Sequence, residues 1–175
     1  ENVAASYQAV THLAKLGRKR IGTITGTMNS TVSIDRKEGY LKALIGSNLS
    51  IDSNLIVEGD FTEAGGYRAM QQLLPARPDA VFAASDIMAL GAMRATREAG
   101  LHIPGDIAFV GFDDLPLSKL SDPPLTTIHQ PIYEFGYRSV EILIDQIEND
   151  AKSPNKTIME TELIIRASCG ASRGL

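Results

Sequence analysis

Five short polar segments each close an apolar run that reads as a strand, and together they hold side chains suited to gripping a small polar molecule. The first covers residues 26–35, with Arg36 behind it at the start of a helix. The second is Glu58, Gly59, Asp60 and Phe61, and the third Ala84, Ser85 and Asp86. The fourth is Gly111, Phe112, Asp113 and Asp114, and the fifth leads into His129 and Gln130. In an open parallel sheet, ligands bind beyond the carboxyl ends of the strands, so these positions converge on one crevice. A fork-shaped cation, an aromatic face, a hydroxyl, carboxylates and an amide suit a neutral polyol. Arg36 can donate to two neighbouring oxygens, Asp113 can accept from two vicinal hydroxyls, and Phe61 can cover the C–H face of a sugar ring. One arginine is too little positive charge for a phosphate.

Each residue also has a plainer reading. Asp86 directly precedes an apolar-periodic run and reads as an N-cap. Ser85 reads equally as a turn residue or a contact, and Phe61 equally as core. Asp60 before Thr62 punctuates a strand-to-helix turn, and Arg36 has Asp35 and Glu38 as neighbours on a solvated face. Asp113 is the most pointed, because a carboxylate directly after a fully apolar strand faces the crevice. The basic run Arg18, Lys19, Arg20 reads as a solvated turn.

Several chemistries are missing. The three histidines, His12, His102 and His129, are scattered and no pair has i, i+4 spacing, so no metal site is expected. No GxGxxG follows a strand, and residues 22–30 lack the lysine of a phosphate loop. Ser85 lacks the flanking glycines of a nucleophile elbow. Asp113 and Asp114 are successive and point in different directions, so they make no general acid/base pair. The sequence therefore predicts no catalytic residue, no cofactor and no enzyme.

The elements that must position these residues alternate regularly. Val3, Ser6, Tyr7, Val10, Leu13 and Ala14 have helical spacing, stopped by Gly17. A strand follows over residues 21–25, then helical spacing at Tyr40, Ala43, Leu44 and Ser47, then a strand over 55–57. A helix runs from Thr62 through Tyr67, Met70 and Leu73 to a stop before Pro75. Strand 80–83 leads into a helix with Met88, Ala92, Ala95 and Ala99 inside, closed by Gly100. Residues 107–110 are all apolar, as in a strand covered on both faces. Residues 112–124 read as a polar, proline-bearing loop, and 125–128 as an extended piece. Pro131 sits where a first helical turn tolerates it, ahead of Val140, Leu143, Ile144 and Ile147. A linker over 152–155 and a strand over 159–165 complete the pattern. Successive βαβ units make an α/β fold with a doubly wound parallel sheet.

Length and charge narrow the class. The 175 residues are 43% hydrophobic and 22% charged, enough for a sizeable core in one domain or two small lobes. The apolar stretches are too short to span a bilayer, so no membrane partner is expected. Residues 1–86 carry nine Lys/Arg and nine Asp/Glu while 87–175 carry eight and twelve, a balance opposed to gripping nucleic acid directly. The single cysteine, Cys169, suits a reducing compartment. No export signal opens the chain, and it starts with Glu1 rather than Met, which reads either as removal of an upstream segment or as a piece of a longer protein.

At this point particular motifs matter. Pro78-Asp79-Ala80-Val81-Phe82-Ala83-Ala84-Ser85-Asp86, followed by Met88-Ala89-Leu90-Gly91-Ala92, resembles the effector domain of the lactose/galactose repressor (LacI/GalR) family. So do Ile103-Pro104-Gly105-Asp106-Ile107-Ala108 and Val110-Gly111-Phe112-Asp113-Asp114. Pro123-Pro124-Leu125-Thr126-Thr127-Ile128 with Gln130-Pro131 is the most specific match. Leu16-Gly17-Arg18-Lys19-Arg20-Ile21 and Arg36-Lys37-Glu38-Gly39-Tyr40 match as well, so the resemblance runs from about residue 2 to residue 166. It implies a type I periplasmic-binding-protein-like fold of two α/β lobes with a small effector between them. Residues 1–128 would be the C-terminal lobe and 129–156 a crossover with a return helix of the other lobe. Residues 157–166 would cross back as a final strand, leaving 167–175 as a tail.

By position, the effector contacts would be Arg36, Phe61, Ser85, Asp113 and, near the hinge, Gln130. Ser85 departs from several relatives, which carry an amide there. The implied parent is a cytoplasmic regulator that binds a small molecule, a sugar or sugar derivative, and touches DNA only through an N-terminal helix-turn-helix not in this chain. Effector binding would change lobe closure and so the spacing of DNA-reading heads in a homodimer. Met88, Leu90, Leu115, Leu117 and Leu120 are expected at the dimer interface, with folding back onto the chain's own core as the alternative for the three loop leucines. A periplasmic sugar-binding protein feeding a transporter is the competing reading.

Overall fold

A computed structural model describes residues 1–148 and 158–171. Strands β1 (Ile21–Thr25) and β3 (Ala80–Ala83) are buried along their whole length, and β4 (Ala108–Asp113) up to its last residue. That is the burial of parallel strands covered on both faces. With β2 (Ile56–Glu58), β5 (Thr126–His129) and β6 (Glu162–Ile164) they form one sheet in the order β2-β1-β3-β4-β5-β6. Neighbours pair in parallel except β6, which runs antiparallel to β5. The strand order reverses between β1 and β3, and a crevice opens at such a switch point.

The sheet is covered by helix pairs. Helices α1 (Asn2–Lys15) and α2 (Thr31–Gly46) bring Ala9, Val10, Leu13, Tyr40 and Leu44 onto one face. Helices α3 (Glu63–Leu73) and α4 (Asp86–Glu98) bring Met70, Leu73, Met88 and Ala92 onto the other. Strand β3 feeds both, with Ala80 and Phe82 in the first core and Val81 and Ala83 in the second. Large sealed side chains such as Tyr40, Phe82, Phe109 and Phe112 each contribute about 1.5–3 kcal/mol of burial. The seam between α3 and α4 depends on Gly66 and Gly91. A Cβ on either would strike backbone of the facing helix, at Met88 and Glu63 respectively, and force the pair apart.

The structure departs from the sequence reading in a few places. Residues 112–124 are not all loop: β4 extends through Asp113, and a short helix α5 (Pro116–Leu120) follows with proline in its first turn. The run Arg18, Lys19, Arg20 is not a free solvated turn. Arg18 donates to the carbonyls of Asp79 (3.1 Å) and Pro104 (2.7 Å), and the Asp79 carboxylate accepts from the amides of Lys19 and Arg20. These bonds clasp the entries to β1, β3 and β4. The last strand is shorter than expected, and the linker expected at 152–155 lies outside the described residues.

Helix α6 (Ile132–Glu148) contributes no residue to either core. Its apolar side chains remain exposed, among them Phe135, Val140, Leu143 and Ile147. After it the chain returns to the sheet as β6.

Candidate functional site

The carboxyl ends of β3 and β4 meet at the Arg36 guanidinium, and Gln130, just past β5, joins them through Asp113. Arg36 sits in the second turn of α2 and is only 5% exposed. Its Nε donates to Asn2 Oδ1 (2.9 Å), and its Nη1 donates to the carbonyl oxygen of Ala84, just past β3. The guanidinium carbon lies 3.6 Å from the centroid of the Phe112 ring, a stacked cation–π contact. Nη1 also faces Asp113 Oδ1 at 3.5 Å. Asp113 Oδ1 accepts a tighter bond from Gln130 Nε2, at 2.7 Å. Among the described residues no donor reaches Asp113 Oδ2 and no acceptor reaches Arg36 Nη2. One cationic donor and one anionic acceptor are thus left unspent side by side.

Burial dominates the electrostatics. It pushes the Asp113 carboxyl up to about 6, with repulsion from Asp86 adding and the pull of Arg36 and Gln130 opposing. Burial likewise lowers Arg36, against the opposing attraction of Asp113 and Asp86. Loss of hydration thus outweighs mutual attraction for both partners, as it can in buried pairs. Such a pair gains when a ligand supplies further hydrogen bonds.

The successive residues Asp113 (φ 118°) and Asp114 (φ 56°) both hold positive φ, and their carboxylates diverge. Asp114 turns away from Arg36 to accept from Arg166 Nη2 (2.5 Å) and pairs with His129 Nδ1 (3.1 Å). Burial raises the Asp114 carboxyl, but Arg166 and His129 outweigh it and hold it below the ordinary carboxylate range. The two acids at the end of β4 therefore serve different neighbourhoods, one beside Arg36 and one where the chain leaves β5 and re-enters after β6.

The third strand end corrects the assignment of the cap. Ser85, not Asp86, caps α4: its Oγ accepts from the Met88 amide at 3.3 Å. Asp86 is fully buried and accepts from Ser118 Oγ (2.5 Å), Thr127 Oγ1 (2.5 Å) and the Leu115 amide (2.9 Å), tying α4 to β5 and α5. Burial raises its carboxyl, and those donors oppose the shift.

Phe61 has φ 60° and its ring packs over Gly26, where a Cβ would overlap both the ring and Ser33 Oγ. The structure thus joins Arg36, Asp113 and Gln130 directly and sets Ser85 one residue beyond Ala84. It places Phe61 against Ser33, one turn ahead of Arg36 on α2. A cavity of about 930 Å³ reaches Arg36, Asn2 and Gln130 and runs on to Phe135 of α6; it is not lined by Asp113, Phe61 or Ser85.

Asn2, Phe112 and the Ala84 carbonyl are partners that pattern reasoning missed, since nothing in local spacing ties them to Arg36. Arg36 pairs with Asp113 rather than with Asp35 or Glu38. Of the expected interface residues, Met88 is corrected: it is fully buried in the second core and offers no surface to a partner. Leu90 is half-buried against that core, Leu115 is half-buried, and Leu117 and Leu120 are exposed, at 53% and 79%. Among the described residues no group of three or more His, Cys, Asp and Glu could hold a metal ion, and no helix is long and apolar enough to cross a membrane.

A family profile described as a periplasmic binding protein-like domain matches residues 10–169. The HTH-type transcriptional repressor CytR of Escherichia coli (strain K12) is 42% identical over 173 residues, covering 98% of this chain and 51% of that protein. The HTH-type transcriptional regulator CelR of Thermobifida fusca is 37% identical over 170 residues, covering 96% and 50%. Among solved structures, a transcriptional regulator CelR–cellobiose complex superposes with a TM-score of 0.93 at 36% identity, covering 96% of this chain and 52% of that one. A LacI family transcriptional regulator from Enterococcus faecium with bound ribose superposes at 0.90 and 30% identity, covering 96% and 63%. The chain spans about half the length of the curated relatives it matches. Those relatives regulate transcription and are not enzymes. The chain belongs to the periplasmic-binding-protein-like domain family, in the form that LacI-family transcriptional regulators carry.

Proposed function

We propose that this chain is the effector-sensing lobe of a LacI-type regulator and that its effector is a carbohydrate or carbohydrate derivative. The observation that carries the reading is the cluster of buried Arg36 with half-buried Asp113 and Gln130 at the strand ends, with Nη2 and Oδ2 unspent. A vicinal diol fits that pair: one oxygen accepts from Arg36 and one hydroxyl donates to Asp113. Relatives solved with cellobiose and with ribose support the substrate class. Phe61 supplies the apolar face and Ser85 a further hydroxyl. Residues 1–128 form one wall of the cleft. The exposed apolar side chains of α6 fit a return helix that is completed by a second lobe, with the chain crossing out after β5 and re-entering the sheet as β6.

Coupling to DNA follows as a two-state argument. An effector that contacts both lobes favours the closure state in which it makes more contacts, and operator affinity shifts by that preference. Leu117 and Leu120 beside α4 are the homodimer contacts, and the protein acts in the cytoplasm. The transport-receptor reading is not favoured, because the curated relatives are HTH-type regulators. Titration calorimetry of the intact protein against pentoses, hexoses, disaccharides and nucleosides tests this. One class should bind, with affinity lost in Arg36→Met; a ligand that binds equally well to Arg36→Met refutes the site.

A further inference from the structure

Ser33 lies in the first turn of α2, three residues before Arg36, and is fully buried. Its Oγ has no hydrogen-bond partner, a costly state for a buried hydroxyl unless something else satisfies it. The other buried hydroxyls without a partner, Ser6 and Thr11, lie on α1, Ser6 in the seam against Gly39. Ser33 is different in place: it stands at the carboxyl end of β1, beside Gly26, at the ligand end of the sheet. The Phe61 ring occupies the same space above Gly26. Phe61 does so from a left-handed backbone conformation, which costs a bulky residue about 1–2 kcal/mol. The helix behind Ser33 is uncapped as well, since Ser30 makes no side-chain cap bond. A strained aromatic thus lies beside an unspent hydroxyl, one turn from the arginine of the site.

We propose that Ser33 is a further effector contact and a specificity-determining residue: its hydroxyl floors a subsite that the Phe61 ring covers and that receives a hydroxyl oxygen of the effector. The proposal rests on the carbohydrate reading of the Arg36–Asp113 cluster. When the ring moves off Gly26, Phe61 can leave its left-handed conformation, and release of that strain offsets part of the cost of uncovering apolar surface. The glycine at position 26 is required because any side chain there would fill the subsite.

Calorimetry on the intact protein tests this with Ser33→Ala, Ser33→Thr and Asp113→Asn, using a panel of cellobiose, ribose, glucose and cytidine. The tightest probe is then compared with its series of mono-deoxy analogues. Ser33→Ala should weaken that probe about 5–10-fold, leave the unliganded melting temperature unchanged or higher, and bind one deoxy analogue as tightly as wild type binds it. Ser33→Thr, which keeps the hydroxyl, should retain most of the affinity. If Asp113→Asn weakens binding at least about 10-fold while Ser33→Ala binds every probe like wild type, the Ser33 subsite is overturned and the carbohydrate site stands. A lower unliganded melting temperature in Ser33→Ala with unchanged affinity makes Ser33 structural and also overturns it. Wild type binding none of the panel overturns the carbohydrate reading and the subsite with it.

Discussion

Replacing Asp113 by asparagine should stabilise the unliganded protein while weakening its effector. The folded carboxyl is raised from its usual 3.8 to about 6, chiefly by burial. A shift of that size disfavours the anion by on the order of 3 kcal/mol, with the attraction of Arg36 already included. The folded state binds the proton more tightly than the unfolded state. The carboxyl's contribution to stability is therefore fully present below pH 3.8 and is lost as the pH rises through about 6. At pH 7 the neutral asparagine avoids that loss. Gln130 keeps an oxygen to donate to, so most of the gain survives. At about 2–4 °C per kcal/mol for a chain of this size, the melting temperature should rise by roughly 5–10 °C at pH 7. At pH 4 the gap should shrink to a small fraction, and well below pH 3.8 wild type and variant should melt together. Effector binding moves the opposite way. A charge-assisted hydrogen bond to Oδ2 is worth about 1.5–3 kcal/mol, so affinity should fall by roughly 10- to 150-fold. Melts at both pH values with parallel calorimetry check this. A variant that melts lower at pH 7, or that shows the same gap at pH 4, refutes burial as the dominant force on Asp113.

Other consequences are as direct. Asp86→Ala strands the donors Ser118 Oγ, Thr127 Oγ1 and the Leu115 amide, and should cost about 3 kcal/mol or more in urea unfolding. Arg18→Ala removes bonds to the carbonyls of Asp79 and Pro104 and should cost about 1–3 kcal/mol, with no change in effector affinity by calorimetry. Arg36→Lys loses both the fork and the stack over Phe112, so calorimetry should show effector affinity at least about 10-fold weaker. Exchanging Leu117 and Leu120 for aspartate should shift a dimer to monomer in sedimentation equilibrium, whereas Leu90→Asp should lower stability because Leu90 packs on the second core.

The parts of the fold legible in the sequence were those set by local pattern. β3 is found where its apolar run begins and ends, and Gly17 and Gly100 stop α1 and α4 with the positive φ that glycine tolerates. The strand-end rule led to Arg36, Asp113 and Gln130, and these residues do touch. What spacing missed depends on contacts between residues far apart in the chain. Asn2 reaches Arg36 across 34 positions, and Arg166 reaches Asp114 across 52. Asp86 looked like a cap because it precedes a helical stripe. The serine before it does the capping, and the aspartate turns inward to donors that only the tertiary fold delivers. Met88 failed as a surface residue for a related reason: the stripe that marks α4 as amphipathic is the stripe that is buried. α5 is five residues long, too short for a periodic signal.

The most direct test of the account is the affinity of the intact protein for its own promoter DNA, by fluorescence anisotropy, with and without the sugar that calorimetry identifies. The account predicts that the sugar changes operator affinity at least about 5-fold, within the range of allosteric couplings, and that Arg36→Met binds the operator like wild type but does not respond. A sugar that binds tightly at Arg36 and leaves operator affinity unchanged would contradict it.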